Sequence, residues 1–413
     1  MYINYEKIGK ILGFGERFFY NKKIKQNLNY IKRNQKKVKA KLKGKTHLNV
    51  AFYVYDSAKW KCQSVYDLMT KDERFTPCVF VTKCNAPENN FNNQTIDDIK
   101  KTYEFFKSKD MNVKYAYDLE NDKFIPFEKM SPKPDIIIYQ HPWYVETTQG
   151  PVVCSKFALT YYVPYYISDI DNPIEYDLRF HRYIYRYYVP DEIIRKNYAP
   201  NMYDKGEKLI VAGHPQLDFY LNNKNQNKRK YVIYAPHWTV CGDNLRYSTF
   251  DWNGYKILEF AEKHPELNWV FKPHPCLYNF LFMSGYMTKD DANEYYKRWH
   301  DVGIVCEDGD YMQLFQNSIA MITDCGSFLT EYFFTKQPCI HLVSQYFKGN
   351  ESVKRICETY YNVHNADEMN KFFEEVLIYK NDPKKQERLA LLKKLNYPNS
   401  AEFIVEDILK NLL

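Results

Sequence analysis

Ile319-Ala320-Met321-Ile322-Thr323-Asp324-Cys325-Gly326-Ser327, running on into Phe328-Leu329-Thr330-Glu331-Tyr332-Phe333-Phe334, is the stretch on which the fold turns. The run 319–322 is short and apolar throughout, the pattern of a strand covered on both faces. Gly326 permits a close backbone approach, and Ser327 is the predicted N-cap of a helix. The stretch therefore reads as the end of a buried strand, a tight turn and the first turns of a helix. A helix N-terminus presents unpaired N–H groups and a partial positive charge, which suits a phosphate. An ordinary strand–turn–helix corner has the same signature, so the rest of the chain must decide.

The same alternation extends outward on both sides. Upstream, 231–235 is a predicted strand ending at Pro236-His237-Trp238-Thr239, and 269–272 one ending at Pro273-His274-Pro275. A short strand over 303–305 follows, with helices over 255–263, 290–299 and 311–317. Downstream come a strand over 338–342, helices over 366–379 and 383–394, and a last helix over 400–412. The first half repeats the pattern. Strands are predicted over 47–54, 78–82, 113–117, 136–139, 157–163 and 209–212, with helices over 61–70, 96–109 and 176–188. The strand at 136–139 delivers Gln140-His141-Pro142-Trp143. The strand at 209–212 ends in a turn, Gly213-His214-Pro215-Gln216-Leu217-Asp218. Such alternation predicts an α/β protein with parallel, doubly wound sheets, whose ligands bind past the strand C-termini. The polar run 222–230 is the predicted domain boundary.

A length of 413 residues fits two domains. Apolar residues at 45% and charged residues at 26% are ordinary for a globular chain. Tyrosine is abundant enough, at 39, to look like genome-level bias, so tyrosine clusters are not read as binding surfaces. Ten cysteines without a C-x-x-C predict free, buried thiols in a reducing compartment. No signal-peptide core and no apolar run of about 18 residues occur, so a cytoplasmic protein without a membrane span is expected. The net charge of +7 is concentrated: residues 22–45 hold eleven Lys/Arg and no acid. An anionic membrane surface or a polyanion is the natural partner of such a segment, although a solvated basic helix has the same composition. Residues 5–42 read as helix with a break near 13–15. Leu28, Ile31 and Val38 are too sparse for a core helix and sufficient for an interfacial one.

Histidines mark the strand ends: His141, His237 and His274, with His214 in the Gly-His-Pro turn. Histidine can move a proton near neutral pH and, charged, bind phosphate. No H-x-x-x-H or H-E-x-x-H occurs, and the His237/Cys241 and His274/Cys276 pairs have no further partners, so no metal is predicted. The pairs Asp169/Asp171 and Asp308/Asp310 read as structural. G-x-x-x-x-G-K-[ST], G-x-G-x-x-G and G-x-S-x-G are absent, so no nucleotide-hydrolysing, dinucleotide or serine-hydrolase chemistry and no cofactor is expected.

Four ordered blocks carry a resemblance: Gly213-His214-Pro215-Gln216-Leu217-Asp218, Tyr234-Ala235-Pro236-His237-Trp238, Lys272-Pro273-His274-Pro275, and Thr323-Asp324-Cys325-Gly326-Ser327 with Glu331-Tyr332 and Lys336-Gln337-Pro338. Together they resemble the CDP-glycerol:poly(glycerophosphate) glycerophosphotransferase family, the teichoic-acid and capsule polymerases with a GT-B fold. The match spans about residues 205–345. Cys325-Gly326 replaces the family's Tyr-Ser, Glu331 replaces an Asp, and His141 stands in a different local pattern from the family's Trp-His-Gly loop.

The resemblance implies two Rossmann-like domains facing a cleft. A basic helical membrane-associating segment would occupy 1–45, an acceptor domain 46–222, a nucleotide-donor domain 223–395, and a helix returning to the N-terminal domain 396–413. It implies a CDP-linked polyol donor, a lipid-linked or polymer acceptor, and a peripheral place on the inner membrane face. The basic segment would add about 1 kcal/mol per cation near that surface. His141 would be the general base. Lys272 and His274 would stabilise charge on the donor phosphates, His237 would join them at the donor, and Gly326 and Ser327 would cradle phosphate. Glu331 would reach a ribose hydroxyl, and Gly213, Pro215, Asp218 and Asp324 would shape turns at the site. Two other readings share the page. One is a GT-B glycosyltransferase using a nucleotide sugar for capsule or lipopolysaccharide, since fold does not fix chemistry. The other is a nucleic-acid binder using the basic segment and 176–188; the segment matches no recognition motif, and nucleic acid is not the expected partner.

Overall fold

A computed structural model of the chain describes residues 14–88, 93–169, 177–222, 230–240, 246–306, 311–395, 397 and 399–412, with side chains from residue 24 onward. Strands β1 (Leu48–Val54), β2 (Phe75–Val81), β3 (Val113–Tyr115), β6 (Ile136–Tyr139), β7 (Leu159–Tyr162), β8 (Arg186–Val189) and β9 (Leu209–Val211) form one parallel sheet in the order β3-β2-β1-β6-β7-β8-β9. A small antiparallel pair, β4 (Tyr117–Asp118) and β5 (Lys123–Phe124), lies between β3 and β6 in sequence. Strands β10 (Tyr231–Ala235), β11 (Trp269–Phe271), β12 (Ile304–Val305), β13 (Ser318–Thr323), β14 (Cys339–Leu342) and β15 (Tyr361–Val363) form a second parallel sheet in the order β12-β11-β10-β13-β14-β15.

Both sheets follow one logic. The chain adds strands outward from its first strand, then crosses back and continues on the other side. The reversal falls between β1 and β6 in one sheet and between β10 and β13 in the other, and at such a switch point two loops diverge and leave a crevice. The apolar runs are continuous because both faces are covered. On β1, Val50, Phe52 and Val54 enter one core with Ile136 and Ile138, while Ala51, Tyr53 and Tyr55 enter another with Ile137 and Tyr139. On β10, Val232 and Tyr234 pack with Ile322, and Ile233 and Ala235 with Met321.

The chain divides into two compact units. The first holds the described residues up to 166, with those of 172–216 and 398–413; the second holds those of 167–171 and 217–397. The division after Gln216 precedes the polar run at 222–230 because Leu217 and Tyr220 are already buried in the second core.

Three sequence expectations need correction here. The long basic helix spans Phe14–Leu42 in the described residues, and 1–13 lie outside them. Its apolar stripe is not free for a bilayer: Leu28 and Ile31 pack on Tyr183, and Val38 and Leu42 enter the core beside β1. Of its cations, Lys25, Lys32, Arg33, Lys36, Lys37 and Lys41 are exposed. The region read as one helix at 176–188 is a five-residue helix, Arg179–Tyr183, followed by β8. Two sheet neighbours outweigh the weak helical pattern there, since β-propensity is mostly a matter of context. Finally, Gly213 alone makes the turn after β9, at φ 72°, while Pro215 begins a helix, Pro215–Asn222, that contains Asp218. Proline suits that first position because its missing N–H is unneeded there.

The last helix, Ser400–Leu412, buries Ala401, Ile404, Val405, Ile408, Leu409 and Leu412 in the first unit, at the i, i+3, i+4 spacing of one face. Asp407 ties it to β8. Arg186 Nη1 donates to Asp407 Oδ1 at 3.0 Å and Tyr188 Oη to Oδ2 at 2.8 Å. Asp407→Ala therefore leaves a buried hydroxyl and a guanidinium short of their acceptor and lowers the stability of the first unit by about 2 kcal/mol, read as a shifted urea midpoint with unchanged slope.

Candidate functional site

In the second unit the switch point joins the ends of β10 and β13. Register places Ala235 opposite Thr323, so Pro236-His237 faces Asp324-Cys325. Thr323 Oγ1 donates to the Ala235 carbonyl at 2.6 Å, and Cys325 N donates back to Thr323 Oγ1 at 3.0 Å. The buried Asp324 carboxylate accepts from His237 N at 2.6 Å, Thr249 N at 2.6 Å and Thr249 Oγ1 at 2.9 Å. It thus ties the loop after β10 to the start of the Phe250–Lys263 helix. Burial pushes its carboxyl up to about 6, and those donors pull against that rise.

His237 and His274 stand side by side, with ring centroids 5.5 Å apart. His237 Nδ1 accepts from Thr239 N at 3.3 Å and lies 2.8 Å from Thr239 Oγ1. His274 Nδ1 accepts from Cys276 N at 3.1 Å. In the neutral rings the proton is therefore on Nε2, so each offers an Nε2–H donor. Burial lowers His237 to about 3, with His274 the next cause. Burial and then Lys272 lower His274 to about 4. Both rings are neutral at pH 7. Lys272 is buried, with Nζ 5.7 Å from the centre of the Tyr311 ring.

These shifts carry a sign. An unfolded histidine takes up its proton near pH 6.5, whereas these two resist it until about 4 and 3. The unfolded state binds more protons in that window, so stability falls as pH drops from about 6.5 towards 4. The double variant His237→Gln/His274→Gln is expected to show a shallower loss of melting temperature between pH 7 and pH 5 than the parent.

The helix after β13 spans Gly326–Phe333, and its N-cap is Cys325, not Ser327. Cys325 is extended, at φ −85° and ψ 110°, while Ser327 is already the second helical residue. The N-cap residue, Cys325, makes no side-chain capping bond of its own. Ser327 Oγ lies 3.6 Å from Cys325 Sγ. A Cβ on Gly326 would fall 1.6 Å from Asp169 Oδ2. Asp169 thus places its carboxylate against the start of this helix, and only glycine leaves room for it. Asn350 holds that approach: its N donates to the Asp169 carbonyl at 2.8 Å and its Nδ2 to that of Ser168 at 2.7 Å. Asp169 was read from sequence as merely structural, because nothing local connects it with Gly326. Glu331 is buried and accepts from Tyr220 Oη at 2.6 Å and Tyr311 Oη at 3.0 Å. Its carboxylate is held by these two tyrosines.

In the first unit the switch point brings the loop after β1 to the loop after β6. The register Tyr53↔Tyr139 sets His141 level with Tyr55, and their ring centroids are 3.7 Å apart. His141 is buried, and neither ring nitrogen has a hydrogen-bond partner among the described residues. Burial, and next the charge of Lys59, keep it well below the usual histidine range. His214 Nε2 donates to the Pro164 carbonyl at 2.8 Å, and burial lowers it to about 4. Of the residues singled out from sequence, His237, Lys272, His274, Asp324, Gly326, Ser327 and Glu331 therefore belong to the second unit, and His141, Gly213 and Pro215 to the first. Asp308, Asp310, Asp171 and Cys241 lie outside the described residues.

No protein-family model matches the chain, and no curated protein matches it. Solved structures do. The wall teichoic acid polymerase TagF aligns over 97% of this chain and 99% of its own, at TM-score 0.58 and 12% identity. The UDP-GlcNAc 2-epimerase of Neisseria meningitidis, bound to UDP-GlcNAc, aligns over 88% of this chain and 99% of its own, at TM-score 0.55 and 13% identity. S. aureus MnaA with UDP aligns over 89% and 98%, at TM-score 0.57 and 12% identity. Likeness at such low identity speaks for architecture, and with two doubly wound parallel sheets in hand the chain has a GT-B-like α/β fold.

Proposed function

We propose that this protein is a transferase that moves a polyol phosphate, glycerol phosphate or a close relative, from a CDP-linked donor to a hydroxyl of a lipid-linked or polymer acceptor in cell-surface polymer synthesis. One observation carries the reading: the second switch point gathers two neutral imidazoles with Nε2–H donors, the buried Lys272 and a helix start whose N-cap residue makes no side-chain bond. Such a set suits a diphosphate, because fixed donors and a cation stabilise charge that grows on the leaving phosphate. The acceptor oxygen would attack the β-phosphorus. A new P–O bond forms, the bond to the CMP phosphate breaks with its electron pair, CMP leaves, and the acceptor proton passes to His141. Asp169, seated at Gly326, would yield to the donor phosphate there. The exposed cations of the Phe14–Leu42 helix would hold the enzyme at an anionic membrane, through charge rather than through an apolar face.

A second reading, a glycosyltransferase using a nucleotide sugar, has its own support: the similar structures of a UDP-GlcNAc 2-epimerase and of MnaA hold UDP-GlcNAc and UDP. One assay separates the two. The purified protein is offered CDP-glycerol, CDP-ribitol and a panel of UDP-, GDP- and CMP-sugars, with an acceptor-bearing membrane extract. Release of CMP from a CDP-polyol is the expected outcome; turnover of nucleotide sugars alone would replace the first reading by the second.

A further inference from the structure

The loops of the first switch point hold a set of polar groups that the chain leaves incomplete. The helix Gln63–Lys71 begins there, with Cys62 as its N-cap and no side-chain cap. Cys62 is fully buried and offers no oxygen. Two lysines precede the helix, Lys59 and Lys61. Lys59 Nζ lies 3.3 Å from Tyr55 Oη and 3.4 Å from Asp56 Oδ2. Gln140, from the end of β6, lies against this corner: its Oε1 accepts from Lys61 N at 2.6 Å. The loop after β9 reaches the same helix start, where Ser64 Oγ donates to the Pro215 carbonyl at 3.2 Å.

Four buried nitrogens around this corner have no hydrogen-bond partner among the described residues: Gln140 Nε2, both ring nitrogens of His141, and His214 Nδ1. Gln140, His141 and His214 are each 1% exposed. Leaving a buried polar atom unpaired costs about 1–3 kcal/mol, so these four atoms favour a polar ligand that pairs them. The four differ in kind. Gln140 Nε2 can only donate. His214 Nδ1 can accept, because Nε2 carries the proton it gives to Pro164. The neutral His141 has one nitrogen of each sort. Charge adds to this: Lys59, Lys61 and the helix N-terminus favour an anion, and the Asp56 carboxylate beside Lys59 also accepts from Ala58 N at 2.9 Å. The arrangement wants an anion with a hydroxyl beside it.

We propose that the corner formed by Lys59, Lys61, the start of the Gln63–Lys71 helix, Gln140, His141 and His214 is a second phosphate site, which binds a phosphate ester bearing a free hydroxyl. The lysines, the helix N–H groups and Gln140 Nε2 hold the phosphate oxygens; the imidazole nitrogens accept from the hydroxyl. Under the transferase reading, on which only this last assignment rests, the ligand is the phosphate-bearing end of the acceptor. Its hydroxyl is then presented to His141, and its negative charge offsets the Lys59 charge, which after burial is the second cause of His141 staying neutral.

The test titrates the full-length protein with sn-glycerol 3-phosphate, glycerol, inorganic phosphate and CMP, by calorimetry. The parent is expected to bind glycerol 3-phosphate more tightly than inorganic phosphate and not to bind glycerol. Lys59→Ala/Lys61→Ala is expected to weaken glycerol 3-phosphate at least tenfold and to leave CMP within twofold, while Lys272→Ala does the reverse. Should the double variant melt early, the single half-buried Lys61→Glu takes its place. Equal weakening of both ligands, undiminished glycerol 3-phosphate binding in the lysine variants, or no saturable binding by the parent overturns the site. None of these titrations needs a donor or turnover, so the site can fail while the transferase reading stands, and the reverse.

Discussion

Under the proposed transferase reading, His274→Ala is expected to lower CMP release from a CDP-polyol by about 10²–10³-fold, the usual cost of removing one fixed donor from a charge-stabilising set. The geometry explains the size. Cys276 N occupies Nδ1, which fixes both the tautomer and the ring, so Nε2–H is oriented before any ligand arrives. His274 N also donates to the Pro236 carbonyl at 3.2 Å and holds the loop after β11 against the loop after β10. That backbone bond survives the substitution, so the loss falls on chemistry rather than on folding. A donor that acts mainly on the transition state changes kcat and kcat/KM together. The measurement is steady-state CMP release for the parent and the variant, with the melting temperature as the control for folding. An unchanged kcat would remove His274 from the chemistry.

Asp324→Ala has the largest expected effect on stability. Three donors, His237 N, Thr249 N and Thr249 Oγ1, lose their acceptor in a buried place. Each orphaned donor costs about 1–3 kcal/mol, and relief from holding a buried carboxylate offsets part of the sum. A net loss of about 2–3 kcal/mol at pH 7 is expected in urea unfolding. The pH trend identifies the cause. The folded carboxyl sits at about 6, above its unfolded value, so the folded state binds the proton more tightly. The resulting extra stability is fully present below about 3.8 and is lost as pH rises through about 6. The gap between parent and alanine variant should therefore widen towards pH 4, by at most about 3 kcal/mol. A gap that narrows on acidification would mean that Asp324 acts in the fold mainly as a charge. Because Asp324 also positions His237, the variant should weaken CMP binding even where it remains folded.

Much of the architecture was legible in the amino-acid order. Runs such as Ile136-Ile137-Ile138-Tyr139 and Tyr231-Val232-Ile233-Tyr234-Ala235 are short and apolar throughout, the pattern of a strand covered on both faces. Their spacing was enough for a parallel, doubly wound arrangement and for histidines at strand ends. Less was legible where a local pattern had two solutions. Arg186-Tyr187-Tyr188-Val189 gains its strand state from β7 and β9, whose contacts are distant in sequence. Leu28, Ile31 and Val38 are sparse enough to look interfacial until Tyr183 and the β1 core cover them.

The sites divide the same way. Residue order alone placed His141, His237, His274 and Asp324 just past strand ends and Lys272 at the last position of a strand, because parallel strands deliver their following residues to one edge of the sheet. Order alone could not show that Cys325 rather than Ser327 caps the helix, since the cap depends on which residue leaves the helical backbone first. It could not bring Asp169 to Gly326, Tyr220 and Tyr311 to Glu331, or Gln140 to Lys61. Those pairs are far apart along the chain and are joined only when the strands line up. What residues do at a distance is decided by tertiary packing, because hydrogen bonds of side chains at strand ends depend on neighbours that only the assembled sheet provides.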